Sequence, residues 1–371
     1  MSGADSRARP SLFAWTPESA ADAISAAGAP GYRATQLLEW TFRHRADSFE
    51  AMSNIPKSLR AALDERFTLY RSTVVADKLS ADGTRKLLLR WHDGTTSECV
   101  LIPDGTRRTA CISTQVGCPA GCVFCASGIG GLVRNLEASE IIEQAVRVAG
   151  MCGEDERLSN VVFMGLGEPL ANFSHTVHAV RTINAPWGLG IAARKITVST
   201  VGLPSQMRRL ADLRMQITLA LSLHAPSDDL RREIIPWGER VSIDELVEAC
   251  RYYFDRTGRE VTLEYILLGG INDSAAAARD LASVAKRMRA FVNLLSYNPV
   301  EGLPYIRPSD DDALEFLDTL RSRGVNCHLR RSRGLDVDAA CGQLRRRTGE
   351  QAMPAPNDRG NDRGHESEEK P

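Results

Sequence analysis

The run Gly117-Cys-Pro-Ala-Gly-Cys-Val-Phe-Cys-Ala126 places Cys118, Cys122 and Cys125 at C-x3-C-x2-C spacing. Two cysteines at short spacing would indicate a redox pair, and four would indicate a closed zinc site. Three thiolates on one short loop can instead ligate three irons of a four-iron cluster and leave the fourth iron open to a small molecule. The spacing therefore predicts an iron–sulfur cluster with one open coordination position.

Two plainer explanations of these cysteines stay open at this point. A zinc site would need a fourth ligand, and the candidates are Cys111, at an unusual spacing, and the distant His175. Alternatively, the three thiols are buried structural cysteines, since free cysteine is among the most buried residue types. Because such cysteines rarely fall at this spacing between glycines, a metal or cluster role is the favoured interpretation.

Composition narrows the class of protein. A chain of 371 residues can form one large α/β domain and a smaller one, and its net charge of -1 gives no overall basic field for nucleic acid. The first residues contain no apolar segment of signal-peptide length, and no stretch approaches a membrane span. Nine cysteines without a secretion signal favour a reducing compartment in which thiols are kept for chemistry. We therefore expect a cytoplasmic enzyme with no membrane partner.

The first part of the chain is predicted to be helical. Thr16 and Pro17 are a typical N-cap and first helical residue. Apolar residues then recur at every fourth position from Ile55 to Phe67, as one buried helix face requires. These signals predict a small helical module ahead of the cysteines.

A β-hairpin is predicted after this helical region. Asp93-Gly94 is a strong turn signal between candidate strands at residues 86–91 and 97–102. From about Thr109 the sequence pattern changes to predicted strands that alternate with predicted helices. From Pro354 the chain is polar and lacks core-forming residues. The expected division is an N-terminal tail (1–15), a helical accessory domain (16–75), a hairpin linker (76–108), a core domain (109–347) and a disordered polar tail (348–371).

In the core domain, predicted strands and helices alternate. Strands are expected at 110–113, 160–164, 195–199, 216–221, 261–266 and 292–295, with a further one at 326–329. Helices are expected at 137–148, 174–184, 203–212, 243–256, 275–288 and 311–323. Such alternation builds a parallel sheet, and about six units predict an α/β fold with a partial (β/α)6 barrel. Ligands of such folds bind at the carboxyl ends of the strands, and the cysteine loop follows the first of them.

Polar residues follow several other predicted strands. Gly167 and Glu168 come after the second strand, where glycine allows close backbone approach and a carboxylate could accept hydrogen bonds from a ligand ammonium. Ser199 ends the third strand, and Ser222 and His224 follow the fourth. Each alone is more often a tight turn or a satisfied polar residue than a ligand contact. Their convergence on one edge of the sheet favours a binding site there.

Several motifs together support a family resemblance. They are the cysteine triplet, Arg134-Asn135-Leu136, Gly167-Glu168-Pro169, Ser222-Leu223-His224-Ala225-Pro226, Tyr297-Asn298-Pro299 and the run from Asp336 to Leu344. In this order they resemble the radical S-adenosylmethionine RNA methyltransferases that methylate adenine carbon, and the resemblance covers about residues 20 to 347. It implies a radical S-adenosylmethionine barrel with the helical accessory domain and the hairpin as extensions.

The resemblance implies a role for each matching residue. Cys118, Cys122 and Cys125 would ligate a 4Fe-4S cluster whose open iron chelates S-adenosylmethionine. Cys341 would carry the methyl group as S-methylcysteine, Cys111 would resolve the adduct by forming a disulfide with Cys341, and Glu98 would be the proton acceptor. The remaining cofactor contacts would be Gly167, Glu168, Ser199, Ser222, Leu223, His224 and Asn298. From the residues alone, Glu98 could equally be an exposed strand residue, and Cys111 and Cys341 structural thiols.

The implied reaction explains why radical chemistry is needed. Carbon 2 of adenine has no nucleophilic lone pair, so polar methyl transfer from a sulfonium fails there. One S-adenosylmethionine would methylate the Cys341 thiolate by displacement. A second would be cleaved with an electron from a donor such as flavodoxin or ferredoxin, so two are consumed per turnover. The methylene radical on Cys341 would then add to carbon 2, leaving RNA bound covalently until Cys111 releases it.

The implied substrates are adenine 2503 of 23S ribosomal RNA and adenine 37 of some transfer RNAs, acted on by a monomer. Local basic clusters could contact phosphates, and the target base must leave its stack. The candidate basic residues are Arg33, Arg43, His44, Arg45, Arg107, Arg108, Arg330, Arg331, Arg333 and the run Arg345-Arg346-Arg347.

Two other functions stay open from the sequence. A related branch of the family methylates carbon 8 of a ribosomal adenine and confers antibiotic resistance; Pro169 and Val116 favour the carbon-2 branch. A non-catalytic zinc-binding RNA module is the alternative of another class. It would contain zinc and would have no need of Cys341.

Overall fold

The computed structural model describes residues 9–345. The predicted polar tail, the end of the predicted core domain and the first eight residues lie outside the described part. The strands are β1 (Ser72–Leu79), β2 (Arg85–Trp91), β3 (Thr96–Asp104), β4 (Arg107–Cys111), β5 (Gln115–Gly117), β6 (Leu132–Asn135), β7 (Asn160–Phe163), β8 (Ile196–Thr200), β9 (Thr218–Ser222), β10 (Thr262–Leu267), β11 (Phe291–Ser296) and β12 (Cys327–Arg330). The helices are α1 (Pro17–Ala26), α2 (Tyr32–Phe42), α3 (Lys57–Arg66), α4 (Ala138–Ala149), α5 (Phe173–Asn184), α6 (Pro204–Asp212), α7 (Asp228–Ile234), α8 (Ile243–Thr257), α9 (Ala275–Met288) and α10 (Asp310–Ser322). Within residues 9–345, none of the helices has the length and apolar character that crossing a bilayer requires.

The N-terminal helices form as the sequence predicts, but the core begins earlier. The Ser19 backbone N–H donates to Thr16 Oγ1 at 3.3 Å and the Thr16 N–H donates to Ser19 Oγ at 2.8 Å, which caps the first turn of α1. Leu12 and Phe13, in the segment expected to be a tail, are buried in the main core, and the Phe13 ring packs edge-on against Tyr70 at 5.1 Å. Burial of these two side chains explains why Leu12 and Phe13 are part of the core.

One sheet of ten strands runs through the molecule in the order β1-β2-β3-β4-β7-β8-β9-β10-β11-β12. The strands from β1 to β4 pair antiparallel, and β4 then pairs parallel with β7 and continues as a parallel sheet to β12. In the described chain the two end strands do not pair with each other, so the barrel is open. The partial α/β barrel predicted from the alternating pattern is confirmed.

The core strands and helices agree with the sequence prediction within one or two residues, except at β4. That strand begins at Arg107, three residues earlier than expected, because it pairs antiparallel with β3 across a tight turn. Buried side chains of β7 to β11 pack against α4, α5, α6, α8 and α9 to form the main core.

Four elements were not predicted. Strand β1 lies where the helical domain was expected to end; it is an edge strand whose residues are mostly exposed and include Asp77 and Lys78, so it lacks a strand's buried alternation. Helix α7 is only one to two turns long. Strands β5 and β6 form a small separate hairpin on either side of the cysteines.

The cysteine loop, residues 118–131, is closed by this small hairpin. Gly117 has φ +78, and the Cys118 backbone N–H donates to the Gly131 carbonyl at 3.2 Å. A Cβ atom at position 117 would collide with that same carbonyl oxygen, whereas a Cβ at Gly131, with φ +64, would meet nothing within 4 Å. Only glycine therefore fits at position 117 without moving the loop.

We predict that Gly117→Ala destabilises the protein more than Gly131→Ala. Both place alanine in the left-handed region, at a cost of about 1–2 kcal/mol, but only Gly117→Ala adds the backbone collision. Urea unfolding of both variants without metal measures the difference. Equal losses of unfolding free energy would contradict the assigned collision.

Candidate active site

A cavity opens at the carboxyl ends of the parallel strands. It contains about 1380 Å³ of empty space, part of it open to solvent. Its wall includes both residues of the cysteine loop and residues between 339 and 344. The predicted site residues in the wall are Cys111, Cys118, Cys122, Cys125, Gly167, Glu168, Ser199, Ser222, His224, Asn298 and Cys341.

Cys118, Cys122 and Cys125 lie together on one side of this cavity. Burial raises the pKa of all three thiols, to about 12 for Cys118. Unligated, they are therefore protonated near neutral pH, and metal binding would release their protons. In residues 9–345, no three His, Cys, Asp or Glu side chains converge as ligands of a single ion. A four-iron cluster does not require such convergence, because each thiolate binds a different iron.

Glu168 forms the buried polar end of the cavity. Only 2% of the residue is exposed, and its carboxylate accepts hydrogen bonds from the backbone N–H groups of Leu170 at 2.9 Å and Val201 at 2.8 Å. Burial raises its pKa to about 7, against the opposing effect of these hydrogen bonds. Gly167 next to it has φ +105, and a Cβ there would lie 2.7 Å from the Gln115 Cβ. In the cavity wall, Glu168 therefore contributes a carboxylate and Gly167 contributes backbone atoms without a side chain.

Ser199, Ser222 and His224 line the adjoining wall. The two serine Oγ atoms are 3.4 Å apart. His224 Nδ1 accepts a hydrogen bond from the Ile266 backbone N–H at 3.0 Å, so the ring proton is on Nε2. Burial, followed by the charge of Arg231, lowers the His224 pKa to about 3. His224 is therefore a neutral hydrogen-bond donor at physiological pH.

The structure does not bring the Leu223 side chain into this site. Leu223 is fully buried in the main core, and its backbone N–H donates to the Glu264 carbonyl at 3.1 Å. The side chain lies outside the cavity wall because strand residues alternate between the two faces. Any contact from this residue to a ligand would have to come from its backbone.

The Cys341 segment, residues 334–345, folds back over the carboxyl ends of the strands. The Asn298 amide donates to the Cys341 carbonyl at 3.1 Å. The Ala126 N–H of the cysteine loop donates to the Gly342 carbonyl at 2.8 Å, and Ser127 Oγ donates to the Leu344 carbonyl at 2.7 Å. These bonds hold Cys341 beside the cysteine loop.

Cys111 and Cys341 face the same cavity from opposite ends of the sequence. Both thiols are free, and Cys341 acts electrostatically on Cys111. Burial, with a further contribution from Cys341, raises the Cys111 pKa to about 12. Burial also raises the Cys341 pKa, whereas the nearby Arg330 guanidinium opposes that rise. The fold therefore brings together the two cysteines that the sequence singled out.

Glu98 lies outside the cavity wall. It is fully buried, with its carboxylate 3.1 Å from Lys86 Nζ and accepting a hydrogen bond from the Arg345 backbone N–H at 2.9 Å. Lys86 Nζ in turn donates to the Asp338 carbonyl at 2.8 Å. Glu98 thus contacts the Cys341 segment from behind rather than the cavity.

Sequence reasoning missed Glu264. This carboxylate lies within β10 and in the cavity wall, is 6% exposed, and accepts a hydrogen bond from Asn293 Nδ2 at 3.0 Å. The signal available was a charged residue in the otherwise apolar strand Thr-Leu-Glu-Tyr-Ile-Leu. An acidic side chain facing a barrel interior needs a polar partner or a function.

The candidate basic residues differ in whether an acidic side chain already pairs with them. Arg333 lies 3.3 Å from Asp104, and Arg43 3.3 Å from Glu39. Arg331 lines the cavity, is exposed, and has no hydrogen-bond or ion-pair partner in the part of the chain that the structure describes. Arg346 and Arg347 lie outside that part. Arg331 is therefore the guanidinium best placed to meet a phosphate at the cavity.

Two family models match the chain. The radical SAM superfamily matches residues 112–282, and the ribosomal RNA large subunit methyltransferase N-terminal domain matches residues 12–69. A relative from Rhodopirellula baltica named "probable dual-specificity RNA methyltransferase RlmN" is 45% identical over 91% of both chains. A Bacillus subtilis relative with that name is 43% identical over 91% of this chain and 93% of its own.

One solved structure agrees closely with this fold. It is a radical SAM methyltransferase from Sphaerobacter thermophilus, 44% identical, with a TM-score of 0.88 over 91% of this chain and 99% of its own.

We predict that, because of Glu168, the free energy of unfolding of the metal-free protein falls as the pH rises from about 5 to about 7. Its folded-state pKa lies above its unfolded value, so the folded protein holds the extra proton and loses stability as pH rises through the folded pKa. Relative to Glu168→Gln, the wild type should lose up to about 1.4 kcal/mol of unfolding free energy per pH unit in that window. Urea unfolding at several pH values measures this, and parallel pH profiles would contradict it.

Proposed function

Because this chain belongs to the RlmN family of radical S-adenosylmethionine RNA methyltransferases, we propose that it methylates carbon 2 of adenine through a methyl group carried on Cys341. The proposed substrates are adenine 2503 of 23S ribosomal RNA and adenine 37 of some transfer RNAs. The observation that carries the proposal is that Cys341, Cys111 and the three loop cysteines line a single cavity.

The residues present fit a cluster and its cofactor. Cys118, Cys122 and Cys125 would hold the 4Fe-4S cluster, which when bound supplies the electron that generates a radical from S-adenosylmethionine. Glu168 would accept hydrogen bonds from the amino group of that cofactor, since it is a buried carboxylate in the cavity wall. The Ser199 and Ser222 hydroxyls, the neutral His224 ring and the Asn298 region would contact its other polar atoms.

Cys341 would act first as a nucleophile. Its thiol must lose a proton before it displaces the methyl group of S-adenosylmethionine, and Arg330 is the nearby cation that favours the thiolate. The segment bonds to Asn298, Ala126 and Ser127 keep the resulting methylthioether inside the cavity. A methyl carrier must stay at one position because radical transfer depends on close approach.

Cys111 would release the product. After the methylene carbon has bonded to adenine, the adduct would lose one electron to a one-electron acceptor, such as the oxidised external redox protein, together with its carbon-2 proton. The Cys111 thiolate would then attack the Cys341 sulfur: the S–S bond forms, the S–C bond breaks with its electron pair on the methylene carbon, and that carbon takes up a proton to become the methyl group. Cys111 is buried, on β4, and its side chain faces the same cavity. Its high pKa means that it is a protonated thiol until a partner takes the proton.

RNA would enter from the open side of the cavity with the target base turned out of its stack. The exposed Arg331 would contact a phosphate there, and the helical accessory domain would add Arg33, Arg43, His44 and Arg45. An external donor such as flavodoxin or ferredoxin would supply the electron. We propose that the chain works as a monomer.

Anaerobic incubation with reductant, methyl-labelled S-adenosylmethionine and unmodified ribosomal RNA tests the reaction. We expect 2-methyladenosine with the wild type, no product with Cys341→Ala, and a covalent RNA–protein adduct with Cys111→Ala. Cys250→Ala, which removes a buried thiol outside the cavity, is the matched control and should leave product formation intact. Label at carbon 8, or loss of activity only with the control, would contradict the assignment.

Charge reversal tests the RNA contact. Arg331→Glu should weaken RNA binding about tenfold and reduce the slope of log affinity against log salt by about 1 or more, because one phosphate contact is lost. Arg321→Glu, on α10 and outside the cavity wall, is the control. Equal affinities of the two variants in a filter-binding assay would remove Arg331 from the interface.

A further inference from the structure

We propose that Gln343 is a positioning residue for Cys341, because its side chain fixes the turn that presents Cys341 to the cavity. This inference rests on the proposed function and adds a residue to which the family resemblance assigns no role. Cys341 and Gly342 line the cavity wall, whereas Gln343 does not and is only 8% exposed. Any effect of Gln343 on the reaction must therefore act through the position of Cys341.

Cys341 lies in a tight turn formed by residues 340–343. The Gln343 backbone N–H donates to the Ala340 carbonyl at 3.0 Å, which closes the turn. Gly342 has φ +84 whereas Cys341 has a negative φ, the combination that a type II turn places at its third and second residues. A Cβ at position 342 would have its nearest contact at 4.0 Å, so glycine is favoured there by conformation and not by space.

The Gln343 side chain closes the same turn a second time. Its Oε1 accepts a hydrogen bond from the Ala340 backbone N–H at 3.2 Å, so both backbone polar groups of Ala340 bind Gln343. Both residues are buried, which keeps water from competing for these hydrogen bonds. The residues on either side of Cys341 and Gly342 are therefore held together by two hydrogen bonds.

The amide nitrogen of Gln343 ties the turn to the barrel. Gln343 Nε2 donates to the Pro299 carbonyl at 3.1 Å, and Asn298 Nδ2 donates to the Cys341 carbonyl at 3.1 Å. Ser332 Oγ donates to Asn298 Oδ1 at 2.6 Å and so orients that second amide. The loop after β11 thus holds the turn at two points, and Gln343 supplies one of them.

A fixed turn matters because the Cys341 sulfur would meet two partners in succession. Its thiolate would first attack the methyl group of S-adenosylmethionine: the new S–C bond forms, and the sulfonium C–S bond breaks with its electron pair on the departing sulfur. The same methyl carbon must later reach carbon 2 of the base. Because a misplacement of about 1 Å can slow a reaction between held groups about a hundredfold, Gln343 should set the rate of transfer rather than the affinity for the cofactor.

Methylation of Cys341 without RNA tests this role. Enzyme with unmethylated Cys341 and a full cluster is mixed anaerobically with S-adenosylmethionine, and the mass of the Cys341 peptide is followed over time. Gln343→Met, which keeps an unbranched side chain but removes its hydrogen bonds, should lower the rate constant at saturating cofactor about tenfold and leave the half-saturating cofactor concentration unchanged. Gln206→Met, on α6 and outside the cavity wall, is the matched control and should react at the wild-type rate.

Alkylation of the metal-free protein by iodoacetamide gives a readout that does not depend on the reaction. Cys341 should be alkylated about fivefold faster in Gln343→Met than in the wild type, because the loss of about one hydrogen bond's stabilisation lets the turn open more often. Gly342→Ala, which strains the positive φ, should accelerate it in the same way. The buried Cys250, which reacts only when the core opens, should keep its wild-type rate in both variants.

Wild-type rates of methylation or of alkylation at Cys341 in Gln343→Met would overturn the positioning role. If Gln343→Met does not fold, which faster alkylation of Cys250 would reveal, Gln343→Asn decides, since its shorter amide cannot reach both Ala340 and Pro299; slower methylation supports the role and a wild-type rate refutes it. Absence of methylated Cys341 in the wild type would instead refute the proposed function, and the alkylation rates would still show whether Gln343 holds the turn.

Discussion

Hydrogen bonds between the cysteine loop and the Cys341 segment hold the candidate active site together. The Ala126 N–H and Ser127 Oγ bind the carbonyls of Gly342 and Leu344, which are more than two hundred positions away in the sequence. Without these bonds Cys341 and the cysteine loop would be separate features of one chain. In the proposed reaction, chemistry begun at the loop can reach Cys341 without diffusion of an intermediate.

The second constraint is the burial of three carboxylates in different surroundings. Glu168 is bound by two backbone N–H groups, Glu264 by an asparagine amide near an arginine, and Glu98 by a lysine and a backbone N–H. Environment decides what a carboxylate can do, since partners and solvation set both its charge and its reach. The three carboxylates therefore differ in which groups they can still bind.

The regular part of the fold was predictable because its signals are local. Alternating apolar strands and amphipathic helices repeat through residues 109–330, and the Asp93-Gly94 turn and the Thr16 cap each depend on a few neighbouring residues. Strand β1 was missed because an exposed edge strand carries charges in place of a buried pattern. The ordering of Leu12 and Phe13 was missed because it depends on contacts with Tyr70, far along the chain.

The candidate site also has features with a local sequence signal and features without one. The cysteine spacing and the polar residues at strand ends can be recognised in the sequence. Of all the predicted site residues, only Glu98 and the Leu223 side chain lie outside the cavity wall in the described part of the chain. Which carboxylate faces the cavity depends on strand alternation and on the path of the Cys341 segment, and neither has a local sequence signal. Glu264 was hidden for that reason, as was the pairing of Glu98 with Lys86.

The central claim is that the transferred carbon passes through Cys341. Enzyme whose Cys341 has been methylated with unlabelled S-adenosylmethionine, then freed of excess cofactor and supplied with the carbon-13 methyl form and RNA, tests it most directly. We predict that mass spectrometry shows unlabelled carbon in the first-turnover product and carbon-13 only in later turnovers. Carbon-13 in the first-turnover product would contradict a carrier role for Cys341.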